Sequence, residues 1–126
     1  MLENIISTKT MSLIKAGVDA AAMRHRVIAN NLANVDTPGF KRSDVIFEEE
    51  LRRAMGSSNG LGASLTNEGH IPFGRKPVDL VAPRVVKKGS MAMRPDGNNV
   101  DIDREMAELA KNSIRYEMLV QQLSSE

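Results

Sequence analysis

A chain of 126 residues that is 41% hydrophobic but only 3% aromatic, with three Phe, one Tyr and no Trp, has the length of one domain and the means for a modest core. Its 17 basic and 16 acidic side chains leave a formal charge of +1, which removes the single-signed field that would draw nucleic acid or an anionic membrane. The absence of Cys removes disulfides, thiolate nucleophiles and cysteine metal sites, and fits either redox compartment.

The first residues, MLENIISTKTMSLIKAG, lack the basic start, continuous apolar run and small-residue cleavage site of a Sec-type signal peptide. No apolar run reaches the roughly 20 residues that span a bilayer, so a soluble chain is expected, one that leaves the cytoplasm, if at all, by another route. Over residues 7–34 apolar side chains recur at Met11, Ile14, Val18, Ala21, Ile28, Leu32 and Val35, in alternating steps of three and four broken by His25. That is the heptad seam of a long helix occupying residues 1–35. Ala20, Ala22 and Ala29 favour helix beside it and let a neighbour approach closely, while Gly17 is a weak point.

The helix must end within residues 29–42, ANNLANVDTPGFKR. Pro38 lacks an amide hydrogen and pushes Thr37 out of the helical region, and Pro38-Gly39 suits the centre of a type II turn, with Phe40 as the apolar anchor after it. Asn34 suits a local role at the helix end. Asn30 and Asn31 are costlier inside a helix and suggest amides that bond a neighbouring chain or the returning segment. A shorter helix is expected from Ser43 or Asp44, either of which can act as N-cap, to Met55, with Phe47, Leu51 and Ala54 or Met55 on one face and Gly56 as the stop.

Residues 56–77, rich in Gly, Ser and Asn and containing Pro72 and Pro77, predict a mobile loop. Val78, Leu80, Val81, Val85 and Val86 then predict one or two short strands, interrupted by Pro83, with room for a small β-hairpin. Asp96-Gly97-Asn98-Asn99 signals a turn, and from Asp101 or Asp103 a helix runs to the end. Its apolar series is Ile102, Met106, Leu109, Tyr116, Val120 and Leu123, with Ser113 in the polar slot and Asp101, Asp103 and Glu105 complementing the helix dipole.

These elements predict a mainly α protein: long terminal helices over residues 1–35 and 100–126 pair through their heptad seams as a coiled-coil-like unit, across a middle of residues 36–99 that forms no independent domain. Closing that middle costs on the order of 4 kcal/mol, which one helix pair can offset. Ala22, Ala29, Ile114, Met118 and Leu119 stay uncovered by such a pair, so other chains are expected to cover them.

The chemistry of an active site is missing from the sequence. His70 falls in the loop, no Ser-His-Asp order or Gly-rich phosphate motif occurs, and Glu48, Glu49 and Glu50 are consecutive and diverge around a helix. No catalytic, cofactor or metal residue is expected. Arg52-Arg53, Arg75-Lys76 and Lys87-Lys88 are dispersed and matched by acids, which suits solvated faces, and His25 is either a pH-dependent contact or passive.

ANNLANVDTPGFKR, taken with DGNNVDIDREM at the start of the last helix, resembles the flagellar axial proteins, specifically the short proximal-rod proteins of the basal body. Asn30, Asn31, Asn34, Asp36, Thr37, Pro38, Gly39 and Phe40 match the first motif, and Gly97, Asn98, Val100, Asp101, Asp103 and Met106 the second. The resemblance spans essentially the whole chain. It implies a non-enzymatic structural subunit of the rod, the drive shaft of the flagellum, made in the cytoplasm and passed unfolded through the flagellar type III export apparatus into the periplasmic space. It further implies self-association through the terminal helices, contact with the rod proteins FlgC and FlgF and the adaptor FliE, no cofactor, no nucleic acid and no membrane insertion. The last helix of the family usually runs past the position of Leu123, which implies a chain shortened at its C-terminus. Two other readings remain open on the residues alone. A soluble helical adaptor of the export-chaperone kind, binding a partner helix, predicts a fully helical stable monomer. A small basic nucleic-acid binder predicts salt-dependent retention on DNA.

Overall fold

A computed structural model describes residues 2–56, 81–89 and 94–125, with side chains from residue 8 onward. Its elements are helix α1 (Leu2–Ala33), strand β1 (Ser43–Ile46), helix α2 (Glu48–Met55), strand β2 (Arg84–Lys87) and helix α3 (Ile102–Ser125). The dominant contact joins α1 and α3. Gly17 faces Leu119, Ala21 meets Asn112 and Asn31 meets Glu105, so the order rises along α1 as it falls along α3 and the helices run antiparallel.

The buried line of α1 is Ile14, Ala21, Arg24, Ile28 and Asn31, with Gly17 against Leu119 between the first two. The steps of three and four are those of the expected seam, but the face is turned by one position. Ile14, Ala21 and Ile28 are shared, whereas Gly17, Arg24 and Asn31 stand where Val18, His25 and Leu32 were expected. On α3 the line turned to α1 is Glu105, Asn112 and Leu119, spaced by seven. Of the expected apolar series, Leu109 and Leu123 are half-buried, while Ile102, Met106, Tyr116 and Val120 are exposed.

Residues 43–46 do not begin the second helix. Asn31 holds Ser43 through both its backbone N–H (2.9 Å) and its carbonyl (2.8 Å), leaving the segment extended, and β1 pairs antiparallel with β2 in the register Ser43↔Lys87 to Ile46↔Arg84. Neither Ser43 nor Asp44 is therefore an N-cap; α2 starts at Glu48 behind Phe47, with no side-chain cap bond. Phe47 is drawn into a small core with Ala20 and Val81, flanked by Ala16, Leu51 and Ala54. Met55 lies outside it.

The sheet is a long-range pairing across the middle of the chain and not a local hairpin. Val85 and Val86 lie in its second strand, whereas Val81, ahead of Pro83, belongs to the core. Val78 and Leu80, and the expected loop beyond Gly56, lie outside the described residues. Among the described residues no helix is long and apolar enough to cross a membrane.

Candidate functional site

The two sequence motifs, more than fifty residues apart, fold onto each other at the end of α1. The first forms its own turn. Phe40 N–H donates to Thr37 O across Pro38 and Gly39, and Gly39 has φ 73°, the positive value that position i+2 of a type II turn requires. Asn34 acts locally: its amide donates to Asn30 O (2.8 Å) and its oxygen accepts from the Thr37 hydroxyl (3.2 Å). Asn30, Asp36, Thr37 and Pro38 are exposed, while Phe40 is half-buried.

The second motif closes over that turn. Gly39 N–H donates to Asp96 O (2.8 Å), Arg42 N–H to the Asn99 side chain (2.7 Å), and Lys41 Nζ to Gly97 O. Gly97, at φ 80°, lies against Gly39, and a Cβ built on it would sit 3.5 Å from Gly39 Cα. Asn98, fully buried, places its Nδ2 2.9 Å from each of Asn34 O, Val35 O and Thr37 O, carbonyls that the end of α1 leaves without helical partners. Its Oδ1 accepts from the N–H of Val100, also buried. Asp101 then caps α3, accepting from Asp103 N–H (3.0 Å) and Arg104 N–H (3.4 Å). Asp103 and Met106 point outward.

Beneath the turns lies a buried polar knot. Glu105, with no exposed surface, accepts from Arg42 Nε through Oε1 (2.7 Å) and from Asn31 Nδ2 through Oε2 (3.1 Å). Asn31 in turn holds Ser43, so one amide and one carboxylate tie α1, the start of β1 and α3 together. Further along, Glu48 bridges two arginines, accepting from Arg24 (2.7 Å) and Arg115 (2.9 Å). Partial burial pushes the Glu48 carboxyl upward, but the Arg24 hydrogen bond, a backbone hydrogen bond and the charges of Arg24 and Arg115 outweigh it and hold the group below its ordinary value.

Sequence reasoning did not single out Arg24, Arg42, Glu48, Glu105, Asn112 or Arg115 for these roles. A signal existed: Arg24 and Asn31 fall seven residues apart on α1, and Glu105 and Asn112 seven apart on α3, polar residues keeping the heptad period. The knot's acids and bases bond one another and presents no activated nucleophile or paired acid and base to a cleft. Among the described residues no group of three or more His, Cys, Asp or Glu could hold a metal ion.

Residues 17–41 match the family described as Flagella basal body rod protein. The chain is 33% identical over 117 residues to the flagellar basal body rod protein FlgB of Bacillus subtilis, an alignment covering 93% of this chain and 86% of that one. It belongs to the FlgB family. Similar likeness holds to FlgB of Yersinia enterocolitica, 40% identical over 76% of this chain and 72% of that one, and of Salmonella typhimurium, 38% identical over 83% and 78%. The matched residues 17–41 cover most of the inner face of α1 and the whole of the first turn, so the basal-body rod match coincides with the part of α1 that α3 and the second motif grip. FlgB proteins are structural rod components of the flagellar basal body and not enzymes.

Proposed function

We propose that this chain is a subunit of the proximal rod, exported through the flagellar type III apparatus and built into the shaft in the periplasmic space. There it contacts further copies of itself, the rod proteins FlgC and FlgF, and the adaptor FliE. Association with other rod proteins follows from family membership; the particular neighbours and the proximal position are this proposal's own. The observation that carries it is the outer surface of α3. Ile102, Met106, Ile114, Tyr116, Met118 and Val120 are 39–65% exposed, apolar side chains that are costly to leave in water and that neighbouring chains can cover.

A density map of purified basal bodies, with this chain located by a tag, tests the proposal. The expected result places α1 and α3 lining the inside of a tube at the rod base. Absence of the chain from basal bodies, or helices on the outside, would overturn it. Hydrogen exchange gives a second readout: α3 amides should gain protection on assembly.

A further inference from the structure

The two-stranded sheet has one closed edge and one open edge. Along an antiparallel ladder, successive residues turn their N–H and C=O alternately toward the partner strand and away from it. Lys88 N–H donates to Arg42 O at 2.9 Å, so Val86 and Arg84 face β1 while Val85 and Lys87 face outward, and on β1 the outward residues are Ser43 and Val45. The outward groups of β1 are all satisfied. Asn31 holds the N–H and O of Ser43, Arg24 donates to Val45 O (3.4 Å), and Val45 N–H donates to Asp44 Oδ1 (2.8 Å). The outward N–H and C=O groups of Val85 and Lys87 have no hydrogen-bond partner among the described residues.

The side chains at the open edge show what fits it. Val85 stands opposite Val45 on one face of the sheet, yet Val45 is 5% exposed and Val85 46%. Lys87 follows on the same face, with Lys88 next to it; both are exposed, and neither forms an ion pair among the described residues. Arg84 has Glu50 3.5 Å away. A second β2 does not fit. The antiparallel register that uses every outward group would set Arg84 of each copy opposite Lys88 of the other, and like charges directly opposite are destabilising. A sheet of only two strands is marginal, and a third strand is the addition that makes it stable.

We propose that the outer edge of β2 takes an extended segment of a neighbouring rod protein as a third strand, with an acidic side chain opposite Lys87 and an apolar one opposite Val85. The source of the strand rests on the rod reading; its chemistry rests on the edge alone. Main-chain hydrogen bonds to Val85 and Lys87 supply the attachment, and the alternate side chains select the segment. The lysines that discourage unspecific pairing of an open edge become the group that recognises the right strand.

Two synthetic peptides test the chemistry on the full chain by amide NMR: acetyl-Thr-Glu-Thr-Val-Thr-amide and its counterpart with Lys in place of Glu. The Glu peptide should shift the Val85 and Lys87 amides and slow their exchange at least about tenfold, and the Lys peptide should not. Lys87→Glu should reverse that preference. Val85→Pro removes only an outward N–H and should abolish the response of the Lys87 amide with helicity unchanged. In basal bodies, Lys87→Glu should lower incorporation at least about tenfold. Equal response to both peptides, no response to either, or exchange of both amides already slowed in the free chain would overturn the strand proposal. So would normal incorporation of Lys87→Glu, which leaves the rod reading intact. Absence of the wild-type chain from basal bodies would instead overturn the rod reading, and with it the source of the strand.

Discussion

Replacing Glu105 with Leu isolates the charge in the polar knot from the space it fills, since the two side chains are similar in volume. The change leaves Arg42 with a side chain 8% exposed and no partner at 2.7 Å; its remaining acid is Asp44, 3.8 Å away and about one-third exposed. Removing one member of a buried pair costs about 3–5 kcal/mol, and the help from Asp44 puts this case near the lower end, about 3 kcal/mol. At roughly 4 °C per kcal/mol for a domain of this size, the midpoint of thermal unfolding should fall by about 12 °C. Urea unfolding with an unchanged m-value is the assay that separates lost stability from a changed unfolded state. Arg42→Met with Glu105→Leu removes both charges, and this double variant should return to within about 1 kcal/mol of wild type. If the single variant costs less than about 1 kcal/mol, or the double variant is as unstable as the sum of its parts, the knot is not the coupled pair that its geometry describes.

Three other outcomes follow from neighbouring contacts. Asn98→Ala should cost about 2–3 kcal/mol, because it strips a buried donor from carbonyls at the end of α1, and Asn98→Asp should cost more, because it sets an acceptor against them; equal midpoints for the two variants would contradict this. Gly17→Ala should raise the thermal midpoint slightly: helix propensity favours Ala by about 1 kcal/mol, and the new methyl meets only Leu119, whose half-buried Cδ1 lies 3.3 Å off and need yield only a few tenths of an ångström. Glu48 has a lowered pKa, so its contribution is full above the unfolded value of 4.5 and is lost as pH falls through the folded value. The stability gap between wild type and Glu48→Gln should therefore shrink as pH drops below about 4.5, measured by urea midpoints across a pH series.

Both long helices were legible in the sequence because a period of three and four over twenty or more residues outweighs local preference. The type II turn was legible because Pro38 and Gly39 admit few alternatives. What misled was SDVIFEEEL, which carries a Ser, a run of acids and an apolar spacing suited to a helix start. There the tertiary contacts overrode propensity: Asn31 claims the Ser43 backbone, β2 claims the ladder edge, and Phe47 is needed in the core, so the helix waits until Glu48. Val85 and Val86 were legible as strand, but their pairing with β1 was not, because a strand of four residues finds its mate by long-range pairing and not by any local signal. The rotation of the helix faces escaped for a different reason. Hydrophobic periodicity locates the most apolar stripe of a helix, and on α3 that stripe is not the one that meets α1.

This mismatch bears on how a rod subunit assembles. Apolar side chains in a helix pair tolerate a slip of one heptad, since Leu or Ile serves nearly as well seven residues away. Polar ones do not. Sliding α3 by seven residues would bring Asn112 to the place of Glu105, leaving Arg42 without its carboxylate and the Glu105 charge without the guanidinium. Polar residues on the inner line therefore fix register and direction, a use for which buried polar groups are well suited even where they add little net stability. Apolar side chains of α3 other than Leu109, Leu119 and Leu123 are thereby left exposed. Six of them retain 39–65% of their surface in water, and if each gains about 1 kcal/mol on burial, covering all six recovers on the order of 6 kcal/mol. That is comparable to the whole stability of a small domain, so on the proposed assembly covering α3 would add as much as a small domain's own fold.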